Sequence, residues 1–363
     1  MSAIGFGQRV TGGGTNPDRI RVTKVGTEGD GTLADAIVKT NHKSEDDRDA
    51  ELEILIDLDD KDDEGKERKI IAPHAKDLNI TARNLTIRAV GGAVIDRNHF
   101  VFDCKKADNV ILRNLRFASD GEKVQTSETN DTIHFDATKG RGPKGFWIDH
   151  CEFQAYFDLN ITSNTTDLEG EPPLLITISR CRFFDLHPSG SEHFNHGAID
   201  FADTRKEFGR SQEKNTYATV CNNVFDHVRR RSPRTTGLSV AHAFNNLLLD
   251  FGSDNPDDVQ QNGMEVGNNG IMVAVANYFR ANVLRQSISL AAGNPEPLLT
   301  VPDTGPKQNK YANGAMKAHS HGRHIAIGNL YRRALGRDVD IPVPANMSEQ
   351  LRTSIERNAG PTE

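Results

Sequence analysis

Residues 218–225, ATVCNNVF, and residues 241–248, AHAFNNLL, place the same asparagine pair behind the same short run of apolar and small residues. Five further segments follow the pattern: VILRNLRF ending at Phe117, FWIDHCEF at Phe153, ITISRCRF at Phe183, AVANYF at Phe279 and IAIGNLY at Tyr331. Two residues before each terminal aromatic or leucine stand, in order, Leu115, Cys151, Cys181, Asn223, Asn246, Asn277 and Asn329. A column that holds asparagine in four successive repeats reads as a ladder. The repeats recur on average every ~36 residues, the size of a solenoid unit with insertions on one face.

A helical repeat would need apolar stripes of period 3.6, whereas these segments are short, β-branched and alternate on a period of two, as in Ile176-Thr177-Ile178-Ser179. Asparagine suits a tight bend because it tolerates left-handed backbone, and amides stacked about 4.8 Å apart satisfy one another from coil to coil. The expected fold is therefore all-β: a single-stranded right-handed parallel β-helix around a column of stacked apolar residues. Insertions such as residues 185–214 would form long loops over one face. No Pro/Gly/Ser linker divides the repeats, which predicts one domain over residues 1–363. Its repeat core would run from about 85 to 331, after an N-terminal segment with a cap (1–84) and before a C-terminal tail (332–363).

Lys and Arg number 44 against 51 Asp and Glu, a net charge of −7, which argues against a nucleic-acid partner. No apolar run approaches the length of a membrane span, and a monomer is expected. The acidic run between Glu45 and Glu67 reads as a solvated insertion. Four cysteines lack CxxC or zinc-finger spacing. Cys151 and Cys181 share a ladder column, but side chains stacked in parallel do not turn toward each other to bridge, so buried thiols are expected.

Against the acidic background, RRRSPR at 229–234 is a local cationic feature. Pro233 fixes its own φ and pushes Ser232 toward extended geometry, so Arg231 and Arg234 flank a stiffened bend. An isolated RRR run is ordinarily a solvated loop. Running directly into a repeated scaffold, this one aims its charge.

Several segments in order resemble the pectate lyase/pectin lyase family of polysaccharide lyases: AIGFGQRVTGGG near the start, VGGAVIDRNHFVFDCKKADNVILRNLRF, GFWIDHCEF, and RSPR followed by HAFNN. The resemblance spans roughly residues 4–331, and the WIDH and RSPR…HAFNN pair is its specific part. It implies β-elimination on α-1,4-polygalacturonate, pectate or pectin. Such a reaction needs a base for the proton α to the uronate carboxylate and positive charge for the enolate-like intermediate. The resemblance makes Arg231 the proton acceptor, or else the cation that faces the intermediate, and assigns Arg230, Arg234, His196 and Asp149 to substrate binding. It implies Ca²⁺ held by Asp131 with Asn160 and Asp158, a set with fewer acidic groups than the family pattern.

Departures from that pattern are specific. The arginine coil is one residue longer than in typical pectate lyases, its second family arginine is replaced by Thr235 or Thr236, and His196 stands where a substrate-contacting lysine is usual. Glu265, in GMEVGNNG, has no assignable role; Trp147 and His150 read as core; His187, His193 and His196 cluster in one insertion. A metal-independent pectin lyase and a non-catalytic polysaccharide-binding β-helix are the alternatives. The opening MSAIGFG matches the start of mature family enzymes, so a secreted protein is expected, with its leader absent from this sequence.

Overall fold

The computed structural model describes residues 3–26, 28–58, 69–71, 77–90, 94–96, 99–118, 131–137, 144–154, 159–165, 172–184, 197–203, 215–252, 262–291, 297–302, 304–322, 326–336 and 340–362. Each turn of the chain supplies three strands that stack in parallel on those of the neighbouring turns, which is a parallel β-helix. One turn runs through Ile133–Ala137, Lys144–Asp149 and Glu152–Gln154. The first of these belongs to a ladder that continues through Leu159–Thr165, Gly197–Asp203, Arg234–Thr235 and Asn262–Gly267. The second belongs to a ten-stranded sheet from Asp18–Val22 to Leu298–Thr300, and the third to a ladder through Arg182–Phe184, Val224–Asp226 and Leu247–Leu249. Tyr278–Ala291, 14 residues long, leaves the third ladder and enters the first.

Inward residues align because parallel strands in register repeat the same face at every coil. Phe117, Phe153, Phe183 and Phe225 stack with centroids 5.1, 4.7 and 4.9 Å apart and planes within 9° of parallel. Register carries the column on to Leu248, Phe279 and Tyr311. Each stacked pair contributes about 0.5–1.5 kcal/mol beyond the burial of its area.

The bend between the second and third ladders places a residue in left-handed backbone at six successive coils: Asn114, His150, Arg180, Asn222, Asn245 and Ala276, with φ between 51° and 56°. The ladder residue follows it. Asn223 Nδ2 donates to Asn246 Oδ1 (3.0 Å) and Asn246 Nδ2 to Asn277 Oδ1 (2.9 Å). The next rung is Asn309, whose Oδ1 accepts from Asn277 Nδ2 at 3.2 Å. Asn329, the rung expected from sequence, is instead exposed on a helix. The residues around it explain the difference: Ile327, Leu330, Tyr331, Ala334 and Leu335 recur at i, i+3, i+4, i+7 and i+8, a helical stripe. Cys151 and Cys181 share the column below Asn223 as buried free thiols, and burial pushes the Cys181 thiol up.

Among the described residues, three α-helices cover the β-helix. The first, α1 (Leu33–Asp46), lays Leu33, Ala36 and Ile37 on the core of the earliest coils, and its N-cap Thr32 accepts from Asp35 N–H at 3.3 Å. The second, α2 (Ile327–Leu335), packs with the N-terminal segment on the outer face of the ten-stranded sheet. Phe6 stacks on Tyr331 at 4.1 Å, and the Phe6 and Gly7 N–H groups donate to Thr219 and Thr177. Gly5, at φ 72°, lies so close to Thr219 that a Cβ there would sit 2.1 Å from its hydroxyl. The third, α3 (Glu349–Asn358), begins at the N-cap Ser348 and buries Ile355 against Val224, Leu247 and Leu249 of the third ladder. No described helix is long and apolar enough to cross a membrane.

Candidate functional site

On the outward side of the first ladder, register aligns His134, Thr162, Asp200, Arg234, Glu265 and Ser289 in one row across six strands. Next to this row the ladder is irregular. Gly197 pairs with Arg230 and Asp200 with Arg234, so three steps on one strand face four on the next. An extra residue of this kind bends a strand and re-aims its side chains. Arg231 sits in this stretch with left-handed backbone (φ 57°), followed by a cis bond between Ser232 and Pro233.

The flanking strands hold the bend by main-chain bonds. Ile199 N–H donates to the Arg231 carbonyl (2.9 Å), Ser232 N–H to the Gly263 carbonyl (2.8 Å) and Glu265 N–H to the Pro233 carbonyl (3.0 Å). Asp200, 2% exposed, is the carboxylate at the centre. Arg234 grips it with a two-point fork, Nε on Oδ1 at 2.7 Å and Nη2 on Oδ2. Arg231 Nη1 reaches the same Oδ2 at 3.2 Å, and Arg234 Nη1 lies 3.9 Å from Glu265. Beside them Arg230 is pushed down to about 10, first by burial and then by Arg231, Arg234 and Arg229, with Glu265 opposing.

Asp131 stands just before the strand Ile133–Ala137, and Asn160 lies on the neighbouring strand Leu159–Thr165. Asp131 Oδ2 accepts from the Thr162 hydroxyl and faces His134 Nδ1 at 3.3 Å; Asn160 Oδ1 accepts from the Thr132 hydroxyl at 3.3 Å. Both are buried. One carboxylate and one amide oxygen are hard donors suited to Ca²⁺, but they supply a single negative charge. Burial pushes the nearby His99 imidazole down, against the opposing charges of Asp77 and Asp131. Among the described residues, a close group of three metal-ligating side chains is found elsewhere, at Asp226, His227 and Asp250, where Arg280 already engages both Asp250 oxygens at 3.2 and 2.6 Å.

Asp149 is not brought to the arginines. It closes a strand of the ten-stranded sheet, fully buried, and is engaged by Arg180 (2.8 Å), His150 Nδ1 (2.8 Å), the Ser179 hydroxyl (2.9 Å) and Arg113 (3.6 Å). Burial alone would raise its carboxyl, and the His150 and Arg180 contacts outweigh that and hold it below the ordinary range. Trp147 is buried beside it under the N-terminal segment. Asp158, His187, His193 and His196 lie outside the described residues. In the sequence, Asp200 carries no signal beyond its place in the strand GAIDFAD, and Glu265 has no role that its segment assigns. Neither carboxylate shows from sequence which guanidinium it meets, because that depends on register across separate coils.

The family model described as pectate lyase matches residues 52–294. No curated protein matches the chain. Among solved structures, the chain is similar to a doubly substituted pectate lyase from Xanthomonas campestris, at 16% identity and TM-score 0.60, over 99% of this chain and 98% of that one. It is also similar to a pectate lyase from Bacillus sp. N165 in complex with trigalacturonate, at 17% identity and TM-score 0.53, over 99% and 98% of the two chains. A variant of a pectate lyase C in complex with pentagalacturonic acid aligns at 13% identity and TM-score 0.53, over 98% and 95%.

Proposed function

The chain belongs to the pectate lyase family of enzymes, and from that premise we propose that it cleaves polygalacturonate by β-elimination with Arg231 at the reacting carbon. The observation that carries this reading is the arginine bend on the first ladder. Arg230, Arg231 and Arg234 gather about Asp200 and Glu265 where the bend projects. In the elimination, the proton α to the uronate carboxylate leaves to a base. Its electron pair forms the new carbon–carbon double bond, and the C4 oxygen departs with the pair of the broken glycosidic bond and takes up a proton. Negative charge develops on the carboxylate, and guanidinium groups already in place stabilise it without reorganising. Arg231 accepts the proton or faces that charge, and Arg231→Ala removes both roles.

Guanidinium groups favour free uronates, which carry charge, over methyl esters, which do not. Calcium, when bound, neutralises uronate carboxylates and acidifies the α-proton; Asp131 and Asn160, with Asp158, would hold it through oxygen donors. A metal-independent lyase acting on methylated pectin is the second reading, favoured by the single negative charge that Asp131 and Asn160 bring. The substrate is a polymer met outside the cell, so export belongs to the proposal.

Ultraviolet absorbance of the unsaturated product, on polygalacturonate and on methylated pectin with and without chelator, tests these readings together. Arg231→Lys and Arg231→Ala should abolish turnover while melting close to the parent. Retention of more than about a tenth of parental turnover, roughly 1.4 kcal/mol of barrier, removes Arg231 from the centre of the reaction.

A further inference from the structure

We propose that Asp200 is a positioning residue for Arg231: its buried carboxylate sets where the Arg231 guanidinium stands in the site. This rests on the lyase reading above. Three features of the structure point to it. Asp200 Oδ2 is shared between Arg231 Nη1 at 3.2 Å and the fork of Arg234. Arg234 in turn lies opposite Asp200 in strand register and close to Glu265 on the next strand, so it holds the carboxylate from a fixed place. The strand of Asp200 also supplies the floor under Arg231. A Cβ on Gly197 would lie 3.0 Å from Arg231 Cβ and 3.1 Å from its Cδ, so the stem of Arg231 runs directly over that glycine.

The chain of contacts therefore runs Glu265, Arg234, Asp200, Arg231, across three adjacent strands. Its physical logic is one of orientation. Arginine carries several rotatable bonds, and a guanidinium that acts on one carbon of a sugar ring must be confined before substrate arrives. A carboxylate held through both oxygens by a rigid neighbour presents a fixed Oδ2 as a contact for the mobile guanidinium. A lysine at 234 could not reproduce the two-point grip.

The test is Asp200→Asn, which keeps the shape and removes the charge. On polygalacturonate, kcat should fall by about 100-fold with KM little changed, since the loss is one of orientation. In Asp200→Ala, added formate should restore part of the lost kcat, which a purely structural ion pair would not allow. Parental kcat in folded Asp200→Asn overturns the proposal. If Asp200→Asn does not fold, Asp200→Glu carries the test: it keeps the charge but displaces it by one methylene, so kcat should again fall, and parental kcat refutes the clamp. A parent inactive on both polymers sinks the lyase reading itself. Even then, a crystal structure of the Asp200 variant decides the clamp, since an Arg231 guanidinium unmoved in it overturns positioning and a displaced one supports it.

Discussion

Replacing Asn246 by alanine tests the asparagine ladder, and the structure sets the size of the effect. Asn246 Oδ1 accepts from Asn223 N–H at 3.1 Å and from Asn223 Nδ2 at 3.0 Å, while its Nδ2 donates to the Val220 carbonyl at 2.8 Å and to Asn277 Oδ1 at 2.9 Å. Four bonds are lost, but unequally. Asn223 Nδ2 retains the Ile178 carbonyl (3.0 Å), and Asn277 Oδ1 retains Asn246 N–H (3.0 Å). Asn223 N–H loses its acceptor at a site sealed from water, and an orphaned buried donor costs about 1–3 kcal/mol. With about 1 kcal/mol more for the weakened partners, the total expected is about 3 kcal/mol. Equilibrium urea unfolding measures it, as a lower midpoint with unchanged slope. Asn329→Ala is the control: that side chain is exposed on α2, so its replacement should stay within about 0.5 kcal/mol. A loss below about 1 kcal/mol at Asn246, or equal losses at the two positions, would show that the ladder amides are not mutually satisfied in the way described.

Two further outcomes follow from the site and the outer face. Asp131→Asn leaves the two oxygen donors without formal charge, so the calcium concentration for half-maximal activity should rise while the melting temperature holds; full activity of parent and variant in excess chelator would refute the metal reading. His242, buried against the Tyr331 hydroxyl at 3.1 Å, is pushed down to about 3 by burial. Its unfolded counterpart takes a proton near pH 6.5, so the unfolded state binds more protons between those values and stability declines as pH falls through that window, by up to roughly 1.4 kcal/mol per unit. His242→Gln should flatten the dependence of urea midpoint on pH, and identical slopes in parent and variant would show that another group is responsible.

Much of the architecture was legible because a β-helix repeats its instructions. The aromatic at the end of each segment and the asparagine two residues earlier fall on the same corner of every coil, and the structure stacks them as Phe117 to Phe279 and Asn223 to Asn277. Where the pattern misled, at IAIGNLY, a short apolar run carried helical and strand periodicity at once. The true rung, Asn309, lies in the polar stretch QNKY, with no β-branched run immediately ahead of it.

Sequence alone determined that strands would form, that they would stack in parallel coils, and that a stiffened arginine bend would project from one of them. These are consequences of local preference and repetition, which act within a few residues of the chain. Tertiary structure decided the partners. Asp149, adjacent to His150 in a familiar motif, is committed to Arg113 and Arg180 on the ten-stranded sheet. Asp200, unremarkable in sequence, meets both Arg231 and Arg234. Such pairings join residues about 30 positions apart through strand register, and one added residue between Arg230 and Arg234 sets which guanidinium faces which carboxylate. No local rule in the chain encodes that alignment; it exists only once neighbouring coils have stacked.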